Sequence, residues 1–399
     1  MARDPSFENA LAFAADLIRI PELSGEEEAM ARRVVEEMEA LGLEEVRIDD
    51  TGNALGLGRG RGEAPTVMLN AHLDVVAAGD PEGWEVPPFA GEIADGFLHG
   101  RGAMDIKGPL ALQVYSAAAL AGEAPGDVLV AATVMEERGG LGMKRLLESG
   151  EVEPGAVVVG ESTGGDVCLG HRGRAELEVV LEGLAGHASA PERARNPLEL
   201  VGAVVAAVQA LARDQREDPL LGSASVVATQ IDVRPETRNV VPDHVVVALD
   251  WRILPGDEEE ALVARVEAAL DAVLPELPEG RTVTVRMARE LQRTWTGVEE
   301  EKSLLTPGFL MDPDDPLVKA AATAVGRRDS PGPAKVRPWT FATDGGWTKG
   351  VHGIPTVGFA PGEERHAHTN EERLELREAR WCFQRQAELV QALQRSLGS

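Results

Sequence analysis

A histidine and an aspartate stand two positions apart in AHLDVV, residues 71–76, where the apolar run TVML ends. In a regular strand the period of two puts His72 and Asp74 on one face, close enough for the carboxylate to meet the imidazole. A surface ion pair at a strand end has the same appearance, so this stretch alone does not assign a metal. Comparable groups follow the other apolar runs: Glu136 and Glu137 after VLVAATV, Glu161 after AVVVG, and His368 beyond IPTVGFA. Asp105 comes from the glycine-rich GRGAMDIKG at 100–108. Ligands in open α/β sheets gather at the carboxyl ends of strands, so these residues are expected to share one crevice. Two like charges about 4 Å apart repel by roughly 4 kcal/mol at an effective dielectric near 20. A cluster of carboxylates therefore needs cations to persist, and two divalent metals would meet that need. Taken singly, Glu136 and Glu137 also read as an acidic helix start, Asp105 and Glu161 as turn residues, and His368 as an exposed loop histidine. Their joint order and strand context make them one candidate site.

The elements that must position these residues are legible as alternating patterns. The first forty residues read as two helices, with Ser24 and Glu27 forming a capping-box pattern before EAMARRVVEEMEALGL. Four short apolar runs follow, near 66–71, 128–134, 156–160 and 354–360. GPLALQVYSAAALA and GGLGMKRLLESG lie between the first three and are long enough for crossover helices, so the expected fold is α/β with a largely parallel, buried sheet. The intervening stretch from about 175 to 295 alternates as βαββαβ, a ferredoxin-like plan, and reads as a domain inserted into the larger one. The expected division is 1–175 and 294–399 for a metal-binding catalytic domain and 176–293 for the insert.

Composition excludes several classes. The chain has 399 residues, enough for two or three domains, and is 43% hydrophobic. Its apolar runs are too short to span a bilayer. Asp4, Glu8 and Asp16 interrupt the N-terminal apolar pattern, which argues against a secretory segment and for a cytoplasmic location. An excess of 67 acidic over 39 basic residues, a formal charge of -28, repels nucleic acid and anionic membranes. Cys168 and Cys382 are too few for a disulfide framework or thiolate cluster and read as buried thiols.

The motifs, in their order along nearly the full length, resemble the dizinc metallohydrolases that include acetylornithine deacetylase, succinyl-diaminopimelate desuccinylase, aminoacylase and carboxypeptidase G. The resemblance implies that His72, Asp105 and Glu161 hold one metal and that Asp105, Glu137 and His368 hold the other, with Asp105 bridging. It implies zinc, although cobalt or manganese suits such mixed ligands almost as well. Asp74 would orient the His72 ring, and Glu136 would be the general base. His366 competes with His368, but only His368 is followed at the family's spacing by Glu371 and Glu372. The insert resembles the family's dimerisation lid, which implies a homodimer. GLAGHASAP, residues 183–191, places His187 where the family uses a partner-subunit histidine to polarise the scissile carbonyl. RNVVP and DWR supply Asn239 and Arg252 at positions that hold the substrate's carboxylate end, and WTFATDGG contributes Thr343. Arg252 also reads as a plain partner of Asp250.

The implied reaction is metal-assisted hydrolysis of the amide bond of an N-acyl amino acid. A metallo-carboxypeptidase or dipeptidase acting on a short peptide is the alternative within the family. Outside it, GESTG at 160–164 fits a nucleophile elbow around Ser162, but an elbow needs a helix immediately after it, and GDVCLGHRGRAELEV reads as turn and strand. A non-catalytic metal-binding assembly protein would be marked by loss of Glu136 or of a ligand, and none is lost.

Overall fold

The structure, a computed structural model, describes residues 3–398. They form two compact units: one comprises the chain up to His171, Gln292–Glu300 and the chain from Leu310 on, and the other comprises Arg172–Leu291 and Glu301–Phe309.

At the centre of the first unit four parallel strands lie in the order Gly126–Thr133, Ala64–His72, Ala156–Val159, Thr356–Gly358. Each is a short β-branched or apolar run buried on both faces, as a strand covered by helices on both sides must be. Ala54–Gly58 and Glu44–Ile48 extend one edge antiparallel. They escape sequence reading because ALGLG and EEVRI are short and lack a clean alternation. Val167–Cys168 and Val336–Arg337 complete the other edge, making eight strands. The helix Lys107–Leu120 is buried along nearly its whole surface, as its apolar ALQVYSAAAL requires. It packs against the helices Phe7–Ile18 and Leu376–Leu397 and against the sheet. Cys168 and Cys382 are free and buried.

One local expectation is overturned. The helix Glu28–Leu41 does follow Ser24 and Glu27, but these two do not form a capping box. Instead the Glu22 carboxylate accepts from Ala29 N at 3.0 Å and Met30 N at 2.8 Å, satisfying the open helix end. The Ser24 hydroxyl donates to Asp74 Oδ2 at 2.6 Å, and Glu27 Oε1 accepts from Met135 N at 3.0 Å. Tertiary partners, a carboxylate for Ser24 and a main-chain amide for Glu27, outcompeted the local pattern.

The second unit follows the βαββαβ order with strands Gly173–Glu182, Ser225–Arg234, His244–Ile253 and Thr282–Met287 and helices Val201–Arg213 and Glu259–Val273. The strand order, second-third-first-fourth, is ferredoxin-like and antiparallel throughout. His244–Ile253 alternates strictly between buried and half-buried residues, the mark of a sheet with helices on one face only. Leu177, Val179 and Trp251 meet Val204, Leu262 and Val266 in its core. Leu305–Thr306 returns to pair with Arg174 and Ala175, so the chain leaves this unit twice.

Candidate metal centre

The parallel strands carry the candidate residues to one edge. His72 is the last residue of its strand and is in register with Thr133, while Asn70 faces Val159. Beyond Thr133 the chain turns through Met135 in the left-handed region, φ 60°, and presents Glu136 and Glu137. Gly140 closes that turn at φ +76°, where an added Cβ would lie 2.6 Å from Trp347 Nε1 and 2.7 Å from Asp344 Oδ1, so a glycine is needed. Glu161 follows Val159 by two residues, and His368, itself at φ 62°, sits on the loop after Thr356–Gly358. Asp105 lies on the turn that precedes Lys107–Leu120.

Asp105 stands between the two histidines. Its Oδ1 is 3.2 Å from His72 Nε2 and its Oδ2 is 3.2 Å from His368 Nε2. His72 Nε2 also lies 3.3 Å from Glu161 Oε1, and His368 Nε2 lies 3.0 Å from Glu137 Oε1. Two donor groups result, His72–Asp105–Glu161 and Asp105–Glu137–His368, each with ligand atoms within 4.8 Å of one another. The structure brings together the six residues singled out as ligands or base. Glu136 lines the same cavity, of about 270 Å³, but its carboxylate pairs with neither histidine.

Asp74 is near, but its part differs from the expected one. The strand ends at His72, so the two residues do not share a strand face. His72 Nδ1 donates to the main-chain carbonyl of Asp74 at 2.8 Å, while the Asp74 carboxylate is 3.7 Å away. That carboxylate instead accepts from Glu136 N and Glu137 N, both at 3.1 Å. Together with Glu27 on Met135 N, it holds the turn that carries the base and a ligand. On the other side Glu372 Oε1 accepts from Met104 N and Asp105 N, both at 3.2 Å, and pairs with Arg101 through its other oxygen. Asp344, wholly buried, accepts from Thr133 Oγ1 at 2.8 Å and Asn70 Nδ2 at 3.3 Å. The site roles of Ser24, Glu27, Arg101 and Asp344 escape sequence reading because their partners lie far along the chain. Glu372 served there only as a marker of His368.

The electrostatics fit divalent cations. A carbonyl can only accept, so His72 Nδ1 carries the proton and Nε2 turns a lone pair toward two carboxylates, a repulsive arrangement unless a cation or a second proton lies between. Burial pushes Glu161 up to about 7, with Asp105 adding to the rise and His72 opposing it. Burial likewise raises Glu136 well above the usual carboxylate range, and raises Glu137. For Asp105 burial works upward too, but hydrogen bonds from His368 and His72 outweigh it and hold it low. The same bonds to Asp105 and Glu137 lift His368 to about 10. Imidazole and carboxylate donors at these separations suit a pair of borderline cations such as zinc, cobalt or manganese.

The remaining candidates lie elsewhere or are engaged. His187 and Asn239 belong to the second unit, where His187 pairs with Val240 and Ala188 N donates to Asn239 O at 3.0 Å. His187 is exposed, and its Nδ1 accepts from Ser189 N at 3.1 Å, which leaves Nε2 carrying the proton. Arg252, at the end of His244–Ile253, binds Asp250 at 2.9 Å. Thr343 is in the first unit but buried: its amide donates to His171 Nε2 at 3.0 Å and its hydroxyl oxygen accepts from Gly345 N at 3.0 Å. Its neighbours Phe341 and Ala342 line the cavity in its place. Ser162 is buried, donates to Met104 O at 3.2 Å and is followed by turn and strands, not by the helix that an elbow requires. His366 ends a short 3₁₀ turn and lies in neither donor group.

Known proteins resemble this chain in sequence and in fold. The chain is 32% identical over 366 residues to the uncharacterized protein YgeY of Escherichia coli K12, covering 90% of this chain and 88% of that one. It is 31% identical over 330 residues to the succinyl-diaminopimelate desuccinylase of Ruegeria pomeroyi, covering 79% and 82%. The crystal structure of the Bacillus subtilis YXEP protein, a dinuclear metal-binding peptidase, superimposes with a TM-score of 0.70 at 16% identity over 98% of each chain, a likeness of fold. Residues 68–392 match peptidase family M20/M25/M40, and with most of the chain inside that match the protein belongs to this family of metal-dependent amide hydrolases.

Proposed function

We propose that the chain hydrolyses the amide bond of N-acyl amino acids, with His72, Asp105 and Glu161 holding one divalent cation, Asp105, Glu137 and His368 the other, and Glu136 acting as general base. The observation that supports this best is the contrast inside one cavity: Asp105, Glu137 and Glu161 are each paired with a histidine, whereas Glu136 is buried beside them with its carboxylate unpaired. When bound, the cations supply Lewis acidity, acidifying water and polarising a carbonyl. Glu136 takes the proton of the attacking water and returns it to the leaving nitrogen, a role suited to a carboxyl that burial has made more basic. Asp74 and Glu27 keep Glu136 from swinging out by fixing the main chain of its turn. His187, with Nε2 carrying the proton, donates to the scissile carbonyl oxygen from the partner subunit, and Asn239 and Arg252 receive the substrate's carboxylate. Thr343 acts from behind Phe341 and Ala342, by holding their loop to His171.

A homodimer through the second unit is supported by its edge strand Ser225–Arg234, where Val227 and Ile231 are 54% and 47% exposed. No helix among the described residues is long and apolar enough to cross a membrane, in keeping with the proposed cytoplasmic setting. The test is a panel of acetyl-, succinyl- and glutamyl-linked amino acids and dipeptides, with metal analysis beside it. Glu136→Ala should keep both cations and lose at least about a thousandfold in kcat. Loss of metal in Glu136→Ala with retention in Glu137→Ala would reverse the two roles. Preference for dipeptides with free amino termini would instead favour the dipeptidase reading. For His187, mixing inactive Glu136→Ala and His187→Ala dimers should restore about a quarter of wild-type activity through the mixed half of the population.

A further inference from the structure

Beside the residues of the two donor groups and Glu136, the cavity has a wall made of Phe341, Ala342, Ala367 and Glu364. None of the described lining residues is lysine or arginine. Glu364 brings the wall's one charge, and that charge is spent. One of its oxygens pairs with Arg337, and the other accepts from Thr340 Oγ1 at 2.8 Å. Arg337 is in turn occupied on every side. It donates to Asp166 Oδ2 at 3.3 Å, to Thr163 O at 2.9 Å and to Pro338 O at 3.2 Å as well as to Glu364. The guanidinium therefore faces two acids. Polar groups engaged among themselves, with an aromatic ring and two methyl groups beside them, make a surface that supplies no donor to an incoming carboxylate.

We infer that this wall selects substrates whose acyl group is short and uncharged, against acyl groups that end in a second carboxylate, with Phe341 and Glu364 as the specificity-determining residues. The inference rests on the amide-hydrolase reading above: because that reading assigns the substrate's carboxylate end to Asn239 and Arg252, the acyl group is the part left for this cavity. The cavity, about 270 Å³, is shared with the donor groups of both cations, so the room beside the wall favours a short acyl group. An acyl carboxylate brought against this wall would give up its water, meet no lysine or arginine side chain and approach the Glu364 carboxylate. The desuccinylase specificity of relatives near 30% identity does not extend to this chain on that ground.

The experiment compares two ligands of one amino acid that differ only at the far end of the acyl chain, N-butyryl and N-succinyl. Binding is measured by calorimetry on the full-length, metal-loaded Glu136→Gln protein, and turnover on wild type. The butyryl compound should bind at least about tenfold more tightly and show the same preference in kcat/KM. Phe341→Arg, which places a cation on the wall, should shift the ratio at least about tenfold toward succinyl. Glu364→Gln, which leaves Arg337 with one acid fewer, should shift it the same way by a smaller factor. Metal content is checked in each variant. Equal or tighter binding of the succinyl compound, tightest binding of an ammonium-ended acyl group, or a ratio unmoved by Phe341→Arg overturns the inference. A butyryl preference in binding with no turnover of either compound by wild type supports the wall and overturns the amide-hydrolase reading instead.

Discussion

Glu37, on the helix Glu28–Leu41, is as deeply buried as Glu161, at 1% against 3% exposure, but the two stand in opposite surroundings. Around Glu37 the chain supplies its own countercharge: Arg33 donates at 2.8 Å, Arg3 at 2.6 Å, and the Tyr115 hydroxyl adds a third donor. Burial pushes the Glu37 carboxyl up, yet these donors outweigh it and hold the group below its usual range. Around Glu161 the nearest charges include Asp105 and Glu137, the group that opposes them is His72, and the carboxyl rises to about 7. An acid whose purpose is to hold the fold is buried with its partners. Acids that serve a solute are buried together, and their compensation comes from the solute.

The contrast can be broken most strongly at the ligands. Glu161→Ala should reduce the metal stoichiometry from two per chain and lower activity by about a thousandfold or more, whereas Glu37→Ala should change neither by more than about twofold. Retention of two tight equivalents by Glu161→Ala would remove it from the ligand set. In chelator-treated protein Glu161→Gln should raise the melting temperature by a few degrees, since a buried carboxylate facing Asp105 and Glu137 has been neutralised. A fall would mean that Glu161 is compensated by the chain after all.

The groups that support the site should give intermediate effects. Asp74→Asn keeps one acceptor for the turn at Glu136 and Glu137 but not both, so kcat should drop about tenfold to a hundredfold with both cations bound. If the main loss were of the His72 metal, the carboxylate would matter for the imidazole more than its 3.7 Å separation indicates. Glu372→Gln removes the charge that Arg101 faces behind the Asp105 turn and should weaken cation binding about tenfold, read by competition with a chromogenic chelator.

Glu37→Gln sharpens the other side. It should cost about 1–3 kcal/mol in urea unfolding at pH 7 with activity nearly unchanged. The sign with pH follows from a folded pKa lying below the unfolded value of 4.5: the stabilisation is present above that value and is lost as the pH falls through the folded pKa. Wild type and Glu37→Gln should therefore converge in stability on acidification. A gap that persists once the carboxyl is protonated in the folded state would trace the loss to packing.

Much of this protein could be read before its structure. Short β-branched runs such as AVVV cannot be amphipathic helices, and their spacing leaves room for crossover helices, so the parallel sheet follows from local pattern. Parallel strands then bring their following residues to one edge, which is why His72, Glu136, Glu137, Glu161 and His368 could be grouped by position alone. What could not be read were the contacts made by groups with more than one possible partner. Ser24 and Glu27 have the right spacing to cap a helix, yet they bind Asp74 and Met135 because folding brings unsatisfied donors and acceptors from far along the chain into their reach. His72 takes the carbonyl of Asp74 and not its carboxylate because the strand stops at His72 and the next two residues turn. Thr343 is buried while Phe341 and Ala342 line the cavity, a matter of which side of a loop faces it. Periodicity and order are properties of the chain, whereas the choice among competing hydrogen-bond partners is made by distance in three dimensions, where a buried polar group takes whichever partner the packing leaves within about 3 Å.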